Sequence, residues 1–102
     1  MPRREQLEAM LADDPADVFL NYALAMQLIS DGDSAGGVTR LERVIELDPN
    51  YVPAYFQSAQ ALAENDAGRS CELLRTGIDR AQANGDRHAV EEMTGLLAQL
   101  KG

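Results

Sequence analysis

His88 is the only histidine of this chain and Cys71 its only cysteine. Together they bound the chemistry available. A general base must stand within hydrogen-bond reach of its substrate, whereas His88 falls in the first turn of a helical segment, where an exposed side chain is the ordinary outcome. Cys71 falls on a helix face expected to turn inward, so it reads as an inert buried thiol rather than a nucleophile. One histidine and one cysteine do not make a typical zinc ligand set. The acidic pairs Asp13-Asp14, Asp31/Asp33 and Glu91-Glu92 sit at helix starts, turns or solvated faces. Asp31-Gly32-Asp33 lacks the further ligands of a calcium loop. No glycine-rich phosphate loop follows a strand, because no window alternates apolar and polar residues. The expectation is a chain with no catalytic residue, no metal and no cofactor. An enzyme or small-ligand protein stands as the remote alternative.

The 102 residues suit one domain, and a hydrophobic content of 45% argues against disorder. The net charge of −8 disfavours nucleic acid and anionic membrane surfaces as partners. Lys101 is the only lysine beside eight arginines. That bias fits either a GC-rich genome with a solvated acidic surface or adaptation to high salt, where self-repulsion is screened. The lone cysteine excludes an intramolecular disulfide. The start, Met1-Pro2-Arg3-Arg4-Glu5-Gln6-Leu7, has no apolar run of a signal peptide. The localisation expected from these features is cytoplasmic.

Any site must therefore be a surface, held by helices. Periodicity and stop signals predict six of them, over 3–12, 18–30, 34–47, 52–64, 67–83 and 87–100. Leu7, Met10 and Leu11 line one side of the first, which ends before Pro15. Asp17 is a candidate N-cap for the second, Asn50 for the fourth and Asp86 for the sixth. Pro53 falls in the first turn of the fourth, where its missing N–H does no harm. Asp31-Gly32-Asp33, Asn65-Asp66 and Asn84-Gly85 are turns. Gly36, inside the third helix, should cost about 1 kcal/mol relative to alanine, with no compensating reason visible in the sequence.

Ala12-Asp13-Asp14-Pro15 and Leu47-Asp48-Pro49-Asn50 each close a helical segment, and their prolines stand 34 residues apart. A 34-residue period of helix, turn, helix and proline resembles the tetratricopeptide repeat (TPR). The pattern places of one repeat are filled by Asn21, Leu24-Ala25, Leu28, Gly37, Leu41 and Pro49. Those of the next are filled by Tyr55, Ser58-Ala59, Leu62, Ser70 and Leu74, with a one-residue deletion near Asn65-Asp66. Ala25 and Ala59 are small where paired helices approach, and Gly37, Ser70 and Gly77 are small opposite them. The resemblance implies an all-α fold of antiparallel helix-turn-helix repeats in a short right-handed superhelix. Its units would be a half-repeat helix at 3–13, repeats at 16–49 and 50–83, and a capping helix at 86–100.

The second helix is apolar nearly all round, with only Asn21, Gln27 and Ser30 polar. Such a helix is either enclosed or offers an apolar face to a partner. In TPR proteins the first helix of each repeat lines a concave groove. The resemblance thus implies a partner-binding groove of Phe19, Tyr22, Met26, Ile29, Phe56, Gln60, Ala63 and Glu64. The competing reading packs Tyr22 and Ile29 against the fourth helix and Phe19 against the first. A clamp for acidic C-termini needs cations, and Tyr22, Met26, Ser30, Phe56, Gln60 and Glu64 supply none. The function expected is a non-catalytic protein-interaction module for a peptide or helix. The alternative is self-association through the same groove, so that the chain is a monomer or a homodimer.

Overall fold

The computed structural model describes residues 2–101. They form α1 (Arg3–Asp13), α2 (Val18–Ser30), α3 (Ser34–Leu47), α4 (Val52–Leu62), α5 (Ala67–Ala83) and α6 (Arg87–Lys101), without a strand among them. Each helix packs against its neighbour in the sequence, and α4 also meets α6. The result is an elongated stack of 42 × 28 × 19 Å.

Aspartate starts most of these helices. Oδ1 of Asp17, Asp33, Asp66 and Asp86 accepts from the backbone N–H three residues on, at 2.8, 2.9, 3.1 and 3.1 Å. Each cap satisfies a donor that the helix itself cannot, an effect of about 0.5–2 kcal/mol. Asn50 is not the cap of α4. Tyr51 holds that place without a side-chain bond. Asn50 instead reaches α5, accepting from Arg80 Nη1 at 3.2 Å and, through its carbonyl, from Asn84 Nδ2 at 3.5 Å.

The turns after α2 and α5 use Gly32 and Gly85 at φ 92° and 73°, a left-handed conformation cheap only for glycine. Asp33 N then donates to Leu28 O, and Asp86 N to Ala81 O. The turn after α4 spans one residue fewer, with Asp66 N donating to Leu62 O at 2.8 Å. No glycine is used there. This is the deletion expected near Asn65-Asp66, and it ends α4 at Leu62 rather than at 64.

Interior bonds recur along the chain. Asn21 Nδ2 donates to Pro15 O at 3.1 Å, and Tyr55 Oη donates to Pro49 O at 2.6 Å, both reaching six residues back. Asn21 is fully buried. It also donates to Asp17 O at 2.8 Å and accepts from Arg40 Nη1 at 3.0 Å. A small amide therefore fills a place built for a large ring because every polar atom finds a partner. Gly37 and Ser70 face the carbonyls of Ala25 and Ala59. A Cβ on Gly37 would lie 3.1 Å from Ala25 O, and Ser70 Oγ donates to Ala59 O at 2.7 Å.

Three apolar clusters make up the core. Leu7 and Leu11 join Leu20, Leu24 and Leu28 between α1 and α2. Ala25, Leu41, Val44 and Ala54 link α2, α3 and α4. Val52, Tyr55, Ala59, Leu74, Ala81 and Met93 link α4, α5 and α6. Two expectations need correction. Met10 does not join Leu7 and Leu11 inside but is 52% exposed. Cys71 is half-buried and outside the three clusters rather than enclosed.

Candidate functional site

α2 and α4 carry no Asp, Glu, Lys or Arg over their thirteen and eleven residues. Both pack on α3, where Ala25 of α2 and Ala54 of α4 join Leu41 and Val44 in one cluster. The outer faces of α2 and α4, continued by α6, form an open wall.

The wall holds the eight sequence-derived residues in different ways. Phe19 is 67% exposed and does not pack into the α1–α2 cluster. Met26 is half-buried and belongs to none of the clusters. Gln60 and Glu64 are exposed, and Ala63 is half-buried; the latter two lie in the turn beyond α4. Tyr22 and Ile29 give part of their surface to the core around Leu41, and Phe56 gives part to the core around Leu74. The packing alternative thus describes part of Tyr22 and Ile29, but not Phe19.

Tyr22 is positioned by Tyr51, whose ring meets it edge-on at a centroid distance of 5.1 Å. Burial raises the Tyr22 hydroxyl above its ordinary value of 10.0, Tyr51 adds to the rise, and a hydrogen bond with Gln57 opposes it. Burial also raises Tyr55, against the opposing pull of Arg80. A raised folded-state value means that the neutral phenol stabilises the fold fully below pH 10 or so. That contribution is lost as pH rises through the folded-state value. Denaturant midpoints should therefore fall above about pH 10, and Tyr22→Phe with Tyr55→Phe should flatten the fall.

Sequence reasoning missed the α6 side of the wall. A cleft of about 230 Å³ runs between α4 and α6, lined by Phe56, Gln57, Asp86, His88 and Glu92 among others. His88 Nε2 is 3.3 Å from Glu92 Oε1, and the imidazole is largely exposed. The available signal was the four-residue step from Ala89 to Met93, two apolar residues on the α6 face that lines this cleft. Among the described residues no three His, Cys, Asp or Glu side chains cluster to hold a metal. No helix among them is long and apolar enough to cross a membrane.

Stacked antiparallel helix pairs with an open wall, free of charge along α2 and α4, define a helical-repeat protein. A TPR repeat-containing protein of Pseudomonas aeruginosa is 30% identical over 97 residues, covering 94% of this chain and 92% of its own. No protein-family model matches. The solution structure of a Bordetella parapertussis protein superposes with a TM-score of 0.85 at 24% identity, covering 99% of this chain and 89% of that one. The crystal structure of a tetratricopeptide repeat domain protein from Salinibacter ruber gives 0.78 at 23% identity, with 84% and 98% covered. The chain belongs to the TPR repeat-containing family. Proteins of this family in general act as non-catalytic scaffolds that bind other proteins.

Proposed function

We propose that this chain is a non-catalytic interaction module whose α2–α4–α6 wall receives a helix or extended peptide of another protein. The units are those expected from the sequence: a half-repeat at 3–13, repeats at 16–49 and 50–83, and a capping helix at 86–100. The observation that carries the reading is Phe19, a phenyl ring 67% exposed on a helix that has no charged residue to keep it solvated. Tyr22 and Met26 follow it on α2 at helical spacing and Phe56 stands on α4, all three half-buried.

Each such side chain, once covered, contributes roughly 1.5–3 kcal/mol before the ordering costs of association. Met26→Glu should therefore abolish capture of a partner from native lysate, while helix content and the sharpness of unfolding remain as in the wild type. Met26→Leu should retain capture. Unfolding of Met26→Glu would make Met26 a core residue and refute the assignment. Size-exclusion measurements read the alternative occupant directly, since a dimer lost in Met26→Glu would mean that a second copy fills the wall.

A further inference from the structure

We infer that the segment received on this wall is a basic amphipathic helix of another protein, apolar toward Phe19, Met26 and Phe56 and carrying Lys or Arg at its edges. The inference rests on the partner-binding reading above and adds the partner's charge and shape.

The charges of the chain are sorted by helix. Seven of its nine cations, all arginines, lie on α1, α3 and α5. Several are held by the chain itself: Arg40 by Asn21, Arg69 by Glu42 and Arg80 by Asn50. Arg87 lines a different cleft, with Ala81 and Gln82 of α5, and Lys101 ends α6. The wall of α2 and α4 has no charge, and its borders are acidic. Glu64 follows α4 in the register of Gln60. Asp86 and Glu92 share the cleft with Phe56, where the one basic group, His88, is paired with Glu92. An anionic segment would face Glu64, Asp86 and Glu92 there, and a cationic one finds these carboxylates beside an apolar strip.

A second copy is a poor occupant on the same ground, because it brings another −8 and the same acidic borders. The shape follows from spacing. Phe19, Tyr22 and Met26 step along α2 at intervals of three and four residues, a ridge that fits the groove of another helix. Exposed ion pairs are individually weak. Two or three of them amount to roughly a tenfold preference.

The test uses two synthetic helices of about 16 residues, roughly 24 Å long, with one leucine face in common and either Lys or Glu at the edges. Binding to the full chain is read by fluorescence anisotropy. The Lys-edged helix should bind about tenfold more tightly at low salt, and the gap should close as salt approaches molar. Glu64→Lys with Glu92→Lys should close it at low salt. Glu46→Lys with Glu72→Lys makes the same change of net charge on α3 and α5, and should leave it open. Met26→Glu should remove the binding.

Equal affinity for both peptides, lost in Met26→Glu, would overturn the inferred charge and leave the wall as the binding face. Binding that survives Met26→Glu would overturn both. Equal loss in the two charge-reversed variants would reduce the effect to a general attraction to an acidic protein and overturn the inference. So would binding of neither peptide, or a dimer that needs Met26.

Discussion

Leu41→Ala and Leu74→Ala should each lower the unfolding free energy by about 2–5 kcal/mol. Both side chains are 0% exposed, and they occupy corresponding places on α3 and α5, 33 residues apart because of the shortened turn after α4. Truncation loses the transfer energy of the removed carbons. It also leaves a cavity that the neighbours cannot close, because Val44 and Ala25 around one leucine, and Tyr55 and Met93 around the other, are held by their own helices. Against a total stability of about 5–15 kcal/mol, either loss is large. Urea titration followed by circular dichroism would measure it as a fall in midpoint at unchanged slope. The two variants also probe how far the stack unfolds as one body. Ile45 packs against both clusters, so loosening at Leu74 should be felt at Leu41. We expect a single transition in each variant, with tyrosine fluorescence and helix content falling together. Two separated transitions in Leu74→Ala would show units coupled only weakly across their interface.

The helices were legible because their boundaries rest on local chemistry. Asp17 and Asp86 act as caps by contacts within four residues, and Gly32 and Gly85 act through their own backbone, so neither needs knowledge of the rest of the chain. The repeat was legible for a related reason, since the place of Asn21 and that of Tyr55 each return a side-chain bond to a proline carbonyl six residues back. What escaped depends on contacts distant in sequence. Asn50 has the side chain of a cap, but Arg80 of α5 engages that side chain, and Asn84 just beyond α5 donates to its carbonyl. Met10 stands 34 residues before Val44 and shares its pattern. α2 and α4 enclose Val44, yet no helix of the stack covers Met10. The wall was legible as an apolar face, not as a partition of that face. Periodicity places Phe19, Tyr22 and Ile29 on α2 without saying that Tyr51 and the core around Leu41 take part of the last two. The α6 contribution was hidden for the same reason, because His88 and Glu92 read as solvated helix residues until α4 is set beside them.

Gly77 and Gly36 should respond to substitution with opposite signs. In a helix interior, alanine is favoured over glycine by about 0.5–1 kcal/mol, so a gain is the default at either position. At Gly36 a new Cβ would stand 2.4 Å from Oδ2 of the capping Asp33. That atom is the end of a side chain, and Leu20, Arg69 and Ala89 carry a Cβ at the same point above Asp17, Asp66 and Asp86 without losing the cap. Asp33 can adopt their arrangement, so Gly36→Ala should stabilise the protein by up to about 1 kcal/mol, which removes the cost that the sequence left unexplained. At Gly77 the new Cβ would lie 2.7 Å from Met93 Sδ and 2.7 Å from Tyr55 Cβ. The thioether can yield. The Tyr55 Cβ is fixed to the α4 backbone, and its hydroxyl is tied to Pro49, so α5 itself would have to move. Overpacking of this kind costs about 1–3 kcal/mol or more. Val44 is the residue in the corresponding place of α3, where the partner position holds Asn21 instead of Tyr55. Gly77→Val should therefore destabilise by the upper part of that range, although valine is the residue the preceding pair uses. Thermal and urea midpoints of Gly36→Ala, Gly77→Ala and Gly77→Val would check the signs. A Gly77→Val protein as stable as the wild type would show that α4 and α5 are not held at the separation that Tyr55 and Gly77 define.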